Sequence, residues 1–183
     1  MSEKKKPVLT PGQIIRKRRA NYVIGQGYLS LLLRCAALVL VVYVMLTHVF
    51  LLTQASGNEM FPAVKDGDVI FAYRLPEKYS KDDVVVYTQN GRTRVGRIVG
   101  REKDIIKMDE EGKLVVNGTP QGGEIMYPTY PKDGYEYPYE VPRGHIYILG
   151  DYRTQSEDSR DFGPVPVDAL QGKVITILRR RGI

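Results

Sequence analysis

The chain has 183 residues, 26% of them charged, with one cysteine and a formal net charge of +6. That length suits one domain with a sizeable core plus an appendage, and a lone cysteine excludes a disulfide framework. The basicity sits at one end, where residues 1–34 sum to +7 and leave −1 for the rest, which argues against nucleic-acid binding and fits a basic flank beside a membrane.

Residues 1–30 read as a basic cytoplasmic segment, rich in Lys4, Lys5, Lys6, Arg16, Lys17, Arg18 and Arg19. Leu31, Leu32 and Leu33 then lead into an uncharged run from Cys35 to Leu52, interrupted only by Arg34, whose long stem can reach back to an interface. At a rise of about 1.5 Å per residue this run crosses a hydrocarbon core of about 30 Å, so residues 31–53 are expected to form a single uncleaved transmembrane helix. By the positive-inside rule its amino end lies in the cytoplasm, residues 54–183 lie outside, and the lipid bilayer is a partner. Cys35 falls inside the span, and His48 near its outer end has no second ligand at metal spacing. No cofactor or metal is expected.

Beyond residue 56 short β-rich runs alternate with turn residues. Strands are predicted at 69–73, 84–87, 94–99, 104–108, 113–116, 145–149 and 173–178, punctuated by Gly-rich and Asn-rich breaks such as Asn90-Gly91 and Asn117-Gly118. Seven short strands need a closed or double-layered arrangement to bury one face each, so the class is mainly β, a coiled sheet or barrel-like sandwich. Residues 119–144 resist the strand reading. Five prolines are interleaved there with Tyr127, Tyr130, Tyr135, Tyr137 and Tyr139, and each proline removes a ladder donor. Those tyrosines either pack the loop onto the sheet or form an exposed recognition surface.

Where the apolar run gives way to the outer domain stands Gly57-Asn58-Glu59-Met60-Phe61-Pro62, a carboxylate between a flexible glycine and an apolar surface expected to rest near the bilayer. A second dense motif runs Gly150-Asp151-Tyr152-Arg153-Thr154-Gln155-Ser156-Glu157-Asp158-Ser159-Arg160-Asp161-Phe162-Gly163. Its acidic, hydroxyl and guanidinium groups can form an internally bonded turn in which Asp158 pairs with Arg160.

This second motif resembles the GDNRxxSxDSRxxG box of bacterial type I signal peptidases, membrane-anchored proteases with a Ser/Lys dyad. The resemblance extends in the family's order over about residues 30–178. Met60 to Val69 is similar to the SMxPTLxxGDxV box, Asp82 to Tyr87 to GDIVVF with Asp82 where the family has Gly, Arg97 to Gly100 to the end of KRVIG, and Leu114 to Gly118 to LYING.

The resemblance implies a signal-peptidase-like fold with a degenerate dyad. The nucleophilic serine's position holds Glu59, and the general-base lysine's position holds Gly96. Arginines cannot replace the base, since a guanidinium keeps its proton. Ser156 matches the serine that orients the lysine, while Asp158, Ser159 and Arg160 make up the structural motif. Loss of the lysine is expected to leave room for water or part of another molecule, and Glu59 is expected to stay solvated, find an arginine or a hydroxyl, or meet a cationic partner.

Relatives without the pair resemble the factors that accompany sortase-dependent pilus assembly in Gram-positive bacteria. The expectation is therefore a catalytically inactive, accessory or chaperone-like role toward pilin subunits, possible contact with sortase, and a cleft of Gly57, Met60, Phe61, Pro62 and Ser156 that holds an extended peptide without cutting it. Two alternatives stay open: an active membrane-bound signal peptidase with a non-standard or engineered-out dyad, and a purely structural scaffold.

Overall fold

The structure is a computed structural model that describes residues 10–75, 78–122 and 126–179. The chain divides into two units, Met1–Met45 and Leu46–Ile183. Residues 1–9 of the expected cytoplasmic segment lie outside the described residues.

The first unit is dominated by one helix, α1 (Pro11–Val44). Proline at the first helical position fits there because its missing N–H has no helical acceptor to serve, and the Gln13 side chain accepts from the Thr10 N–H at 3.0 Å. Residues 11–30 lie in the same continuous helix as the apolar run. Within Ile24–Val49 an 18-residue stretch reaches a mean hydropathy of 2.5 with none of it buried, the composition of a membrane span.

The expected span ended at residue 53, and the structure corrects that boundary. The helix gives way to a π-helical turn at Met45–Val49, and Phe50–Gln54 form the first strand, β1. Pairing with β2 (Val69–Tyr73) satisfies the backbone of β1 as well as a helix would, and Phe50 stacks on Phe71 with centroids 4.8 Å apart.

The second unit is built from two sheets. The larger adds β3 (Val84–Gln89), β4 (Arg92–Gly100), β9 (His145–Leu149), β10 (Val165–Pro166) and β11 (Leu170–Leu178), in the order β1-β2-β11-β3-β4-β9-β10. The smaller has the order β7-β6-β5-β8, from β5 (Ile105–Met108), β6 (Leu114–Val116), β7 (Thr119–Pro120) and β8 (Tyr139–Glu140). All seven predicted strands are present, and the class is mainly β as expected. The strands missed are β1, hidden in the apolar run, and the two-residue pieces β7, β8 and β10, too short for any alternation to register.

Burial follows the period of two. Ile70 and Ala72 of β2 point into a core with Met60, Val64 and Val86, while Val69, Phe71 and Tyr73 lie on the other face. Between β4, β9 and the small sheet, Val99, Ile106, Leu114, Val116 and Tyr147 form a second core. Asp82 adopts φ +69° just before β3, which accounts for the glycine that the resemblance places there.

The proline-rich loop is packed down. Tyr135 meets Tyr139 edge-on at 5.6 Å, the Tyr137 and Tyr147 hydroxyls lie 2.6 Å apart, and Tyr127 lies against Tyr152 at 4.5 Å. Only Tyr130 of the five is exposed.

Candidate functional site

Three segments converge at one end of the large sheet: residues 55–60 after β1, strand β4, and the loop from Gly150 to α2 (Ser159–Phe162). Antiparallel pairing of β4 with β9 fixes Arg97 opposite Leu149, so the loop leaving β9 starts beside the middle of β4. The Tyr152 N–H donates to the Glu59 carbonyl at 2.9 Å, which stitches the loop to residues 55–60. Gly150 permits this approach, since a Cβ there would lie 2.5 Å from the Glu59 carbonyl oxygen and 2.4 Å from Ser156 Cβ.

The loop is held from within. Asp158 caps α2 and accepts five hydrogen bonds: from the Ser156 hydroxyl at 2.7 Å, the Gly150 N–H at 3.2 Å, and the Arg160 N–H, Nε and Nη2 at 3.1, 2.9 and 2.8 Å. Arg160 also donates to the carbonyls of Tyr130 and Arg153. The Ser159 hydroxyl accepts from the Ile148 N–H at 3.0 Å. Arg153 donates to Gly150 O, Thr129 Oγ1 and Gln121 Oε1, and burial pulls its guanidinium down to about 10. Burying cations and an anion is tolerated here because the groups satisfy one another. On the opposite face of β4 from Arg94, Arg97 holds Asp151 through two bonds of 2.8 and 2.6 Å.

Glu59, at the position that the resemblance assigns to the nucleophile, finds an arginine, as one of the expected outcomes had it, and does not reach Ser156. Its Oε1 accepts from Arg94 Nη1 at 2.8 Å, while Arg94 Nη2 donates to Glu157 Oε2 at 2.6 Å. The Arg94 side chain is 9% exposed and that of Glu59 27%. The guanidinium stands over the Phe162 ring at 5.7 Å, and its Nε is buried without an acceptor among the described residues. Burial pushes the Glu59 carboxyl above its ordinary value, Arg94 pulls it back in part, and Glu157 adds to the rise.

The expected vacancy at the lysine's position does not exist. A Cβ on Gly96 would meet Ile148 Cγ2 at 2.4 Å and Tyr87 Cε1 at 3.3 Å, so β9 and β3 have filled the space. Tyr87 is buried there, and burial first, then the Glu59 charge, push its phenol well above the usual range.

The remaining predicted residues do not assemble into an open cleft. Met60 is 3% exposed and belongs to the core, which corrects its expected place near the bilayer. Phe61 and Pro62 are half-buried, with Phe61 beside Tyr152 at 6.0 Å. Gly57 is exposed, and its N–H donates to Asp66 Oδ1. The cavity beneath Ser56, Gly57, Glu59, Met60 and Val95 measures about 10 Å³, room for one water. Asp158 and Glu59 form no carboxylate pair, because the Asp158 oxygens are taken by Ser156, Gly150 and Arg160.

Sequence reasoning missed Arg94, Glu157, Tyr87 and Ile148 as parts of this site. A signal for Arg94 was present, because a residue two before Gly96 on a strand faces the same way.

The family model for Signal peptidase, peptidase S26 matches residues 28–178, and the chain belongs to that family. It is 31% identical over 135 residues to the mitochondrial ATP-independent inner membrane protease subunit 1b of Arabidopsis thaliana, covering 66% of this chain and 65% of that relative. It is 28% identical over 136 residues to thylakoidal processing peptidase 1, chloroplastic, of the same organism, covering 65% and 39%. Among solved structures it is similar to a signal peptidase I from Enterococcus faecalis V583 at 24% identity and a TM-score of 0.47, covering 56% of this chain and 100% of that one. The chain thus spans between about a third and two thirds of the length of these curated relatives. Membership of a family of membrane-associated peptidases and the apolar helix together fit a membrane anchor.

Proposed function

We propose that this chain is a non-catalytic member of the family, anchored once in the cell membrane with its amino end in the cytoplasm, and that it serves as an accessory factor in sortase-dependent pilus assembly. The Glu59–Arg94 ion pair beside a filled Gly96 carries the first part. A carboxylate tied to a guanidinium does not attack a carbonyl, and a guanidinium does not take up a proton at working pH. The two serines of the motif are out of reach: Ser156 and Ser159 are buried and spend their oxygens on Asp158 and on the Ile148 N–H. The pilus role rests on resemblance to family members lacking the dyad, with pilin as the partner and sortase as a second.

Purified full-length chain in detergent, incubated with a preprotein, is expected to yield no cleaved product. Cleavage would establish the alternative, an active peptidase, which the relatives' names as proteases favour. In a host that carries pilin and sortase genes, deletion of this chain is expected to abolish high-molecular-weight pilin polymers without affecting signal-peptide removal. Normal polymers in the deletion strain would overturn the accessory role.

A further inference from the structure

A cavity of about 530 Å³ opens at the far ends of β4 and β9. Gly100 lies six positions after Arg94 along β4, which puts the cavity about 20 Å from the ion pair. Four segments wall it: Lys78 and Tyr79 before β3, Arg101, Glu102 and Asp104 in the turn after β4, His145 and Ile146 at the start of β9, and Val167 after β10. Its size lies within the range of small-ligand sites.

The wall is unevenly satisfied. Asp104 accepts from the Arg101 N–H at 2.7 Å and from Asn117 Nδ2 at 2.7 Å, so both carboxylate oxygens are engaged. Glu102 accepts from the Gly144 N–H through Oε2 alone, leaving Oε1 to accept another donor. The Lys78 ammonium and the Arg101 guanidinium have no acceptor among the described residues. Exposed Val167 and the half-buried Tyr79 ring supply an apolar surface, with Ile146 buried beneath it.

The two walling turns also carry exposed Lys103 and Arg143, in a domain whose overall charge is close to neutral. The formal charges of the lining itself cancel, two cations against two carboxylates. A dianion is therefore not called for. What the wall lacks is one monoanion for the cations, one N–H for Glu102 Oε1, and an apolar group against Val167.

We propose that this cavity binds an N-acylated amino acid with a free α-carboxylate and an apolar side chain, the chemistry of a polypeptide's C-terminal residue and of a free acyl amino acid alike. The carboxylate meets Arg101 and Lys78, where a planar fork suits it. The amide N–H donates to Glu102, and the side chain lies on Val167 and the Tyr79 ring. The site owes nothing to the Glu59–Arg94 pair.

Titration of the full-length chain in detergent with N-acetyl-leucine is expected to saturate at one equivalent. N-acetyl-leucinamide, which lacks the anion, is expected to bind at least roughly tenfold more weakly, the loss of one charge-assisted pair. Arg101→Gln and Lys78→Gln each weaken binding while leaving the melting curve in place, since both side chains are exposed. A peptide with a free C-terminal leucine separates the sources: tighter binding than N-acetyl-leucine assigns the site to polypeptide ends, weaker binding to small acids. Arg94→Gln leaves the affinity unchanged, so this test stands apart from that of the pilus role. Equal binding of the amide, equal binding of inorganic phosphate alone, or indifference to both substitutions would overturn the proposal.

Discussion

Arg94 and Gly96 lie on the same face of β4, two positions and about 7 Å apart. The cation at this site therefore stands one pleat away from the position the resemblance gives to a lysine, and it holds the carboxylate of Glu59 at 2.8 Å. Charge is present in the pocket, but in a form that locks residues 55–60 to the sheet.

Replacing Arg94 by Met tests that lock. It leaves Glu59 half-buried without a partner and frees Glu157, and breaking one side of a largely buried pair is expected to cost about 2 kcal/mol. The double replacement Arg94→Met with Glu59→Met should recover much of that loss, because no buried charge is then left alone. Thermal melts of the parent, of each single replacement, Arg94→Met and Glu59→Met, and of the double measure the coupling. An Arg94→Met protein as stable as the parent would show that the pair holds nothing.

Gly96 makes a sharper claim about space. Gly96→Ala drives a methyl to 2.4 Å from Ile148 Cγ2, and the overpacking is expected to cost about 1–3 kcal/mol. In an Ile148→Ala background the same change should cost less, since the obstructing methyl is gone. For the same reason Glu59→Ser with Gly96→Lys is expected to restore no cleavage. Regained cleavage by that double variant would mean that the lysine's space can reopen.

Glu59 also gives the stability a pH signature. Burial raises its folded-state value above the unfolded 4.5, with Arg94 offsetting only part of the rise. A carboxyl with a raised folded value binds more protons folded than unfolded in the window from 4.5 up to that raised value, so stability falls as pH rises through the window. The usual salt-bridged carboxylate does the reverse. Melting temperatures of the parent relative to Glu59→Gln should therefore decline as the pH rises above 4.5, and a difference that grows with pH would refute this reading.

How much of this was legible in the sequence depends on the distance over which each cause acts. Strands such as Val84–Tyr87 declare themselves locally, through β-branched residues between turn signals, and so does the apolar helix. Phe50–Gln54 does not, because an apolar run looks the same to a bilayer and to a sheet until Val69–Tyr73 is there to pair with it. The centre of the motif was readable because Asp158 finds Gly150, Ser156 and Arg160 within ten residues, whereas the reach of Arg153 to Thr129 and Gln121 and of Asp151 to Arg97 was not. The Glu59–Arg94 pair joins positions 35 apart and Glu157–Arg94 positions 63 apart. The closure of Gly96 by Ile148 depends on the β4–β9 register, which no local pattern encodes.

Asp158 carries the last prediction. It is the acceptor for Ser156, for the Gly150 N–H and for three donors of Arg160, at 1% exposure. Asp158→Ala leaves Arg160 buried without its counter-ion and uncaps α2, and the cost is expected to reach about 3–5 kcal/mol. Ser156→Ala removes one neutral donor from the same carboxylate and should cost about 1 kcal/mol. Arg160→Lys keeps the charge but cannot span Asp158, Tyr130 O and Arg153 O at once, so it should fall nearer the first than the second. Urea unfolding of the three variants gives the order directly. If Asp158→Ala costs no more than Ser156→Ala, the loop is held by something other than this carboxylate, and the placement of Glu157 against Arg94 would need another cause.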